Sequence, residues 1–192
     1  MEPVRLIEIM ELAEKLKNTP RHSWTSEGRR ESVAEHCWRL CFFAYFIKDE
    51  FPDADMEKVM LMCVMHDFGE VFTGDIPVFE KTSAHEETED AALQKWVNSL
   101  PEPYRGELDE LYGEISRGET EESRIFKALD CMEAVMQHNQ ADISTWLPLE
   151  FELQLTHGAD KAAFSEYLSR LRGTVSEDAQ KKIDEYSREK EQ

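Results

Sequence analysis

The sequence predicts an all-α protein, and three observations predict it. Apolar residues recur at the three-to-four spacing of a helix face in one segment after another. Helix-opening signals such as Ser32-Val33-Ala34-Glu35 and helix-ending signals such as Phe51-Pro52-Asp53 fall between those segments. No hairpin dipeptide separates two alternating runs, and no strand-like period, internal repeat or low-complexity segment is present.

The elements follow in order. Val4, Leu6, Ile7, Ile9, Met10, Leu12, Ala13 and Leu16 lie at helical spacing, and Asn18-Thr19-Pro20 ends that first helix. Residues 20–31 read as a polar loop holding one tryptophan, Trp24. Ser32 and Glu35 form a capping box for a second helix, with Val33, Cys37, Leu40, Cys41, Ala44 and Tyr45 as its apolar positions and His36 in its first turn. Asp55 is placed to cap a third helix, whose apolar run Val59 to Met65 leads into His66-Asp67. Glu70 to Pro77 turns the chain away. Helices are predicted over 83–100, 104–114 and 119–140, the last with Ile125, Leu129, Met132, Val135 and Met136 on its buried side and Asp130 in its middle. After Trp146-Leu147-Pro148, residues 162–171 and 179–190 read as two further helices, and the last dozen residues as a frayed end.

Composition narrows the function classes. The 192 residues suit one domain, and 41% hydrophobic residues suffice for a core. With 22 Lys+Arg against 41 Asp+Glu, the net charge of −19 repels duplex nucleic acid, and no basic run offsets it. No apolar run approaches the roughly 20 residues a membrane helix needs. The four cysteines, Cys37, Cys41, Cys63 and Cys131, form no C-x-x-C pair, no secretory signal is seen, and the expectation is a cytoplasmic protein with reduced thiols that act as small packing residues.

The stretch from His66 to Asp75 carries the chemistry. It places a histidine, three carboxylates, a threonine and two glycines directly after a buried run. Buried imidazole and carboxylate groups need partners, either hydrogen bonds or a cation. His36, His66, Asp67 and Asp130 together make a donor set suited to Mn²⁺, Fe²⁺, Co²⁺, Zn²⁺ or Mg²⁺. Neighbouring helical positions diverge by about 100°, so His66 and Asp67 share an ion only in a groove facing their helix. For Asp130 the competing reading is an ion pair with Arg124 or Lys127. His22, His85, His138 and His157 are expected at the surface.

The ordered set His36, His66-Asp67 and Asp130, all on helices, resembles the HD-domain superfamily of metal-dependent phosphohydrolases. Glu70, Thr73-Gly74-Asp75-Ile76-Pro77, the Ser32-Val33-Ala34-Glu35 lead into His36, Pro20-Arg21 with Trp24, and Lys127-Ala128-Leu129-Asp130 narrow the likeness to the bacterial 5′-deoxynucleotidases and their eukaryotic relatives. The resemblance covers residues 5 to about 140. It implies a compact HD-domain helical bundle forming a single domain over 1–192, with 145–192 as a helical extension. It further implies one divalent ion held by His36, His66, Asp67 and Asp130, and hydrolysis of deoxyribonucleoside 5′-monophosphates. Glu70 and Asp75 would be catalytic, Glu70 one turn after His66 as proton donor or water-orienting group. Arg21, Trp24, Thr73 and Lys81 would contact the nucleotide, with Trp24 against the sugar giving a preference for deoxyribose. In the bacterial enzymes the arginine and tryptophan are adjacent, whereas here His22-Ser23 separates them. Relatives imply a homodimer. Two other functions compete: an HD phosphohydrolase of cyclic, tri- or pyrophosphorylated nucleotides, and a non-catalytic helical module holding a metal for stability. Glu70 and Asp75 argue against the last, since stability requires neither.

Overall fold

The computed structural model describes residues 1–190, and among them the fold is helical with one small hairpin. Helix α1 (Pro3–Glu14) starts with Pro3 in the first turn, where a missing N–H costs no hydrogen bond. A short 3₁₀ turn carries it to Lys17. The segment expected to be a loop forms two antiparallel strands, β1 (Pro20–Trp24) and β2 (Arg30–Ser32), with an irregular register. The physical reason is length: strands of five and three residues, interrupted by a bulge, give no period to read.

Helix α2 (Val33–Ile47) opens on the expected capping box: Ser32 Oγ accepts from the Glu35 N–H at 3.3 Å, and Glu35 Oε2 accepts from the Ser32 N–H at 2.9 Å. Asp55 caps α3 (Met56–Met65) by accepting from the Lys58 N–H at 3.0 Å. A 3₁₀ turn, His66–Gly69, and a single-turn helix α4 (Glu70–Thr73) follow. Then come α5 (Ser83–Val97), α6 (Tyr104–Arg117) and the central α7 (Glu121–Gln140), capped by Thr120. Helices α8 (Glu150–Thr156) and α9 (Ala159–Ala162) lead into α10 (Glu166–Lys190).

Helix α10 is one helix of 25 residues where two were expected. It runs through Gly173, where a Cβ would meet only open space. The buried Arg172 anchors the middle to α8, donating to the His157 and Gln154 carbonyls at 2.8 and 3.0 Å. The end expected to fray is helical through Lys190; residues 191–192 lie outside the described residues.

The main core joins Leu40, Val59, Met62, Ile125, Leu129 and Met132 with Ala162 and Leu168, so the C-terminal helices share it. A second cluster joins Leu16, Val33, Cys37, Phe68, Trp96 and Val97 behind the 3₁₀ turn. Burying these side chains contributes roughly 1.5–3 kcal/mol each. Helix α2 is apolar nearly all round, and Trp38, Phe42, Tyr45 and Phe46 face outward; Tyr45, expected inside, is among them. No helix among the described residues is long and apolar enough to cross a membrane.

Candidate metal centre and substrate cleft

Three chain segments meet at one point. The capping box places His36 in the first turn of α2, fully buried. His66 and Asp67 stand in the 3₁₀ turn that follows α3, where the tighter winding changes the direction of successive side chains. Ligand atoms of His36, His66 and Asp67 lie within 4.8 Å of one another. Asp130 arrives from α7, with Oδ1 at 3.2 Å from His36 Nε2 and 3.6 Å from His66 Nε2. The structure thus brings together all four residues expected to hold a metal.

Each imidazole is aimed by its other nitrogen. His66 Nδ1 donates to the Cys63 carbonyl at 3.1 Å, and His36 Nδ1 lies 2.5 Å from Glu133 Oε2. Both Nε2 atoms therefore point at the carboxylates, an arrangement typical of metal-binding histidines. His66 Nε2 is buried, lies 3.0 Å from Asp67 Oδ2, and still makes no aligned hydrogen bond. An orphaned nitrogen among two carboxylates and a second imidazole fits a divalent cation. The competing ion pair is also present and does not exclude this: Lys127 holds Asp130 Oδ2 at 2.8 Å, leaving Oδ1 to the histidines. Arg124 stands elsewhere, over the Phe164 ring.

Burial works against a charged His66, but Asp67 and Asp130 outweigh it and raise its pKa to about 10. Asp130 is held well below the usual range, because Lys127 and the two histidines overcome its burial. Glu70 behaves in the opposite way. Burial, then the charges of Asp67 and Asp75, push its carboxyl up to about 10. Asp75 is raised as well, chiefly by burial, against the pull of Arg21. Two glycines make this geometry possible. A Cβ on Gly69 would stand 2.8 Å from Glu89 Cγ, so a side chain there would force Glu89 to shift. Gly74, at φ 78°, reverses the chain after α4 and returns Asp75 to the centre.

A cleft of about 450 Å³ opens on these groups, lined among others by Arg21, His22, Asp67, Glu70, Asp75, Lys81, Lys127 and Asp130. Arg21 pairs with Glu31 at 3.0 Å and lies 3.6 Å from Glu133, and Lys81 pairs with Glu89 at 2.8 Å. Trp24 and Thr73 do not line the cleft. The Trp24 ring lies beneath the Arg30 guanidinium at 4.6 Å, because strand pairing sets that side chain on the hairpin. Thr73 Oγ1 bonds the Gly74 carbonyl at 3.3 Å.

Sequence reasoning missed Glu133, which is 1% exposed and touches His36, Arg21 and Arg39. The signal was there: it stands one helical turn after Asp130, in an apolar run. It also misplaced His22 and His138. Both are half-buried, and both contact the buried Glu150, at 3.1 and 2.9 Å. His85 is exposed as expected, and His157 is partly buried. The cysteines are free, and burial raises the thiol pKa of each.

Known proteins resemble this chain in sequence and in fold. A family model described as HD domain matches residues 13–172, which takes in α8, α9 and the start of α10. The 5′-deoxynucleotidase HDDC2 of Homo sapiens is 30% identical over 139 residues, 70% of this chain and 67% of the relative. A 5′-deoxynucleotidase of Pectobacterium atrosepticum is 30% identical over 167 residues, 78% of this chain and 84% of the relative. A crystal structure from Magnetospirillum magnetotacticum, named as a predicted metal-dependent phosphohydrolase, superimposes with a TM-score of 0.75 at 23% identity, covering 93% of this chain and 94% of that one.

Proposed function

The chain belongs to the HD-domain family, and from that premise we propose that it is a metal-dependent phosphohydrolase that releases phosphate from deoxyribonucleoside 5′-monophosphates. The observation that carries this reading is the placement of Glu70: a buried carboxyl in the same cleft as Asp67, Asp130 and Arg21, where burial and neighbouring carboxylates push its pKa up. His36, His66, Asp67 and Asp130 would hold one divalent ion. Bound there, such an ion supplies Lewis acidity toward phosphate oxygens and lowers the pKa of a coordinated water.

The chain's own residues do the rest. Arg21, kept charged by the carboxylates around it, offers its guanidinium to the phosphate. Lys81 and Lys127 add positive charge at the cleft wall. Glu70 can give its proton to the departing 5′-oxygen, a role that requires the neutral form at working pH. Asp75, beside the His22 backbone N–H, is the second catalytic carboxyl in this reading and can bind the sugar 3′-hydroxyl. Trp24 is assigned to holding the hairpin that carries Arg21, and Thr73 to closing the turn into Gly74.

We place a second copy of the chain on the apolar side of α1, α2 and α3. Trp38 and Phe46 are 66% and 67% exposed there, each packed against Phe42, and a groove lined by Leu16, Trp38, Phe42, Tyr45 and Val64 continues the surface. A homodimer covers such an area, which monomers rarely leave open. Four free thiols support a reducing, cytoplasmic setting.

The test is a phosphate-release screen of deoxyribonucleoside and ribonucleoside monophosphates, triphosphates and cyclic nucleotides against Mn²⁺, Co²⁺, Fe²⁺, Zn²⁺ and Mg²⁺. Release from deoxyribonucleoside monophosphates above all other classes supports the proposal. Equal rates on dAMP and AMP, or turnover of another class alone, refute it.

A further inference from the structure

A second cluster in the same cleft is built like the first. His22 comes from β1, His138 from α7 and Glu150 from α8. Their ligand atoms lie within 4.8 Å of one another. His22 Nε2 and His138 Nε2 converge on one oxygen, Glu150 Oε1, at 3.1 and 2.9 Å. The other oxygen, Oε2, accepts from the Leu147 N–H at 2.6 Å, so Oε1 faces only the two rings. Glu150 is 2% exposed.

The hydrogen-bond count at His138 shows what the cluster lacks. Its Nδ1 lies 3.0 Å from the Ala134 carbonyl, an acceptor, and its Nε2 lies 2.9 Å from a carboxylate, also an acceptor. A neutral imidazole donates from one nitrogen only. With Nδ1–H given to the carbonyl, the Nε2 lone pair must meet a proton or a cation. His66 has the same wiring, with Nδ1 on the Cys63 carbonyl and Nε2 beside Asp67. His22 brings a second Nε2 to the same oxygen, its ring 6.1 Å from that of His138. Without a cation, both rings must direct N–H groups at that one oxygen, His22 with its Nδ1 turned to the Arg30 guanidinium at 3.4 Å. A single divalent ion satisfies all three donors at once.

We propose that His22, His138 and Glu150 form a second divalent-metal site, separate from the centre at His66-Asp67. Two imidazoles and a carboxylate suit Zn²⁺, Co²⁺, Ni²⁺ or Fe²⁺ better than Mg²⁺. Three protein ligands leave a coordination position open toward the cleft, for water or for an oxygen or nitrogen of a bound nucleotide. The site does not depend on the nucleotidase reading, and its test uses no substrate.

The test counts bound Co²⁺ by elemental analysis, after chelator-stripped full-length protein is loaded and desalted, with the visible Co²⁺ spectrum as a second readout. The His66→Gln/Asp130→Asn double variant, disabled in the first centre, should retain one equivalent. Adding His22→Asn should remove it. In the otherwise native chain, His22→Asn and the isosteric Glu150→Gln should each lower the count by one, with circular dichroism confirming the fold. His22 lies on the hairpin outside the helical core, and a glutamine can still accept from Leu147. Retention of every equivalent in both single variants overturns the proposal, as does loss of all cobalt in the folded double variant.

Discussion

Protons and metal should compete for His66 Nε2, and pH is the perturbation that exposes this. Without metal, Asp67 and Asp130 hold His66 at about 10, so at neutral pH the ring carries two protons. Its Nδ1 keeps a proton and donates it to the Cys63 carbonyl, and the Nε2 proton must leave before that nitrogen can ligate. One pKa unit is worth about 1.4 kcal/mol. Each pH unit below about 10 therefore weakens metal binding about tenfold, or about 100-fold from pH 8 to pH 6. His36, also raised above its ordinary value, can only add to this. The effect on stability has the opposite sign. His66 and Glu70 both have folded pKa values raised above their unfolded ones, so their contribution is full at low pH and is lost as pH rises toward 10. The depressed Asp67 and Asp130 contribute fully throughout this window. The metal-free protein should thus melt at lower temperature at pH 9 than at pH 6.5, while the gain on adding metal widens. The assay is calorimetric titration of Mn²⁺ into the His22→Asn variant, in two buffers of different ionisation heat. At least one proton released per Mn²⁺ is expected. Release below about 0.3 protons, with a Kd that moves less than about threefold between pH 6 and 8, would refute the reasoning.

Three further outcomes are expected. Glu70→Gln should keep metal and hold or raise the melting temperature, since a neutral amide escapes the cost of burying a carboxyl, but lower kcat about 10²–10⁴-fold; a loss under about tenfold in steady-state phosphate release removes Glu70 from the chemistry. Glu133→Gln leaves a neutral partner on His36 Nδ1 and should weaken Mn²⁺ affinity about 10–100-fold, read by titration, with recovery when Glu is restored and none when Asp shortens the reach. Trp24→Ala should leave the kcat/KM ratio for dAMP over AMP unchanged while lowering thermal stability, since the ring stacks on Arg30 outside the cleft; a ratio that shrinks severalfold in a folded variant would return Trp24 to the sugar.

The sequence by itself determined the helical class, the capping residues Ser32 and Asp55, and the four residues, His36, His66, Asp67 and Asp130, that the fold brings together. These are local properties: a capping box needs three residues of spacing, and a buried histidine or aspartate declares its need for a partner wherever it sits. It did not show the hairpin, because strands of five and three residues with a bulge carry no period. It placed Val33, Cys37, Leu40 and Ala44 of α2 on the inward side but erred at Tyr45, because a helix apolar nearly all round has a stripe without sharp edges. Nor did it show that α10 is continuous through Gly173, where Arg172 ties the helix to carbonyls at the end of α8. Tertiary packing alone decided that Glu133 aims His36, and that His22, His138 and Glu150 meet, because ligands 116 and 12 positions apart from His138 come together only when β1, α7 and α8 close on one cleft.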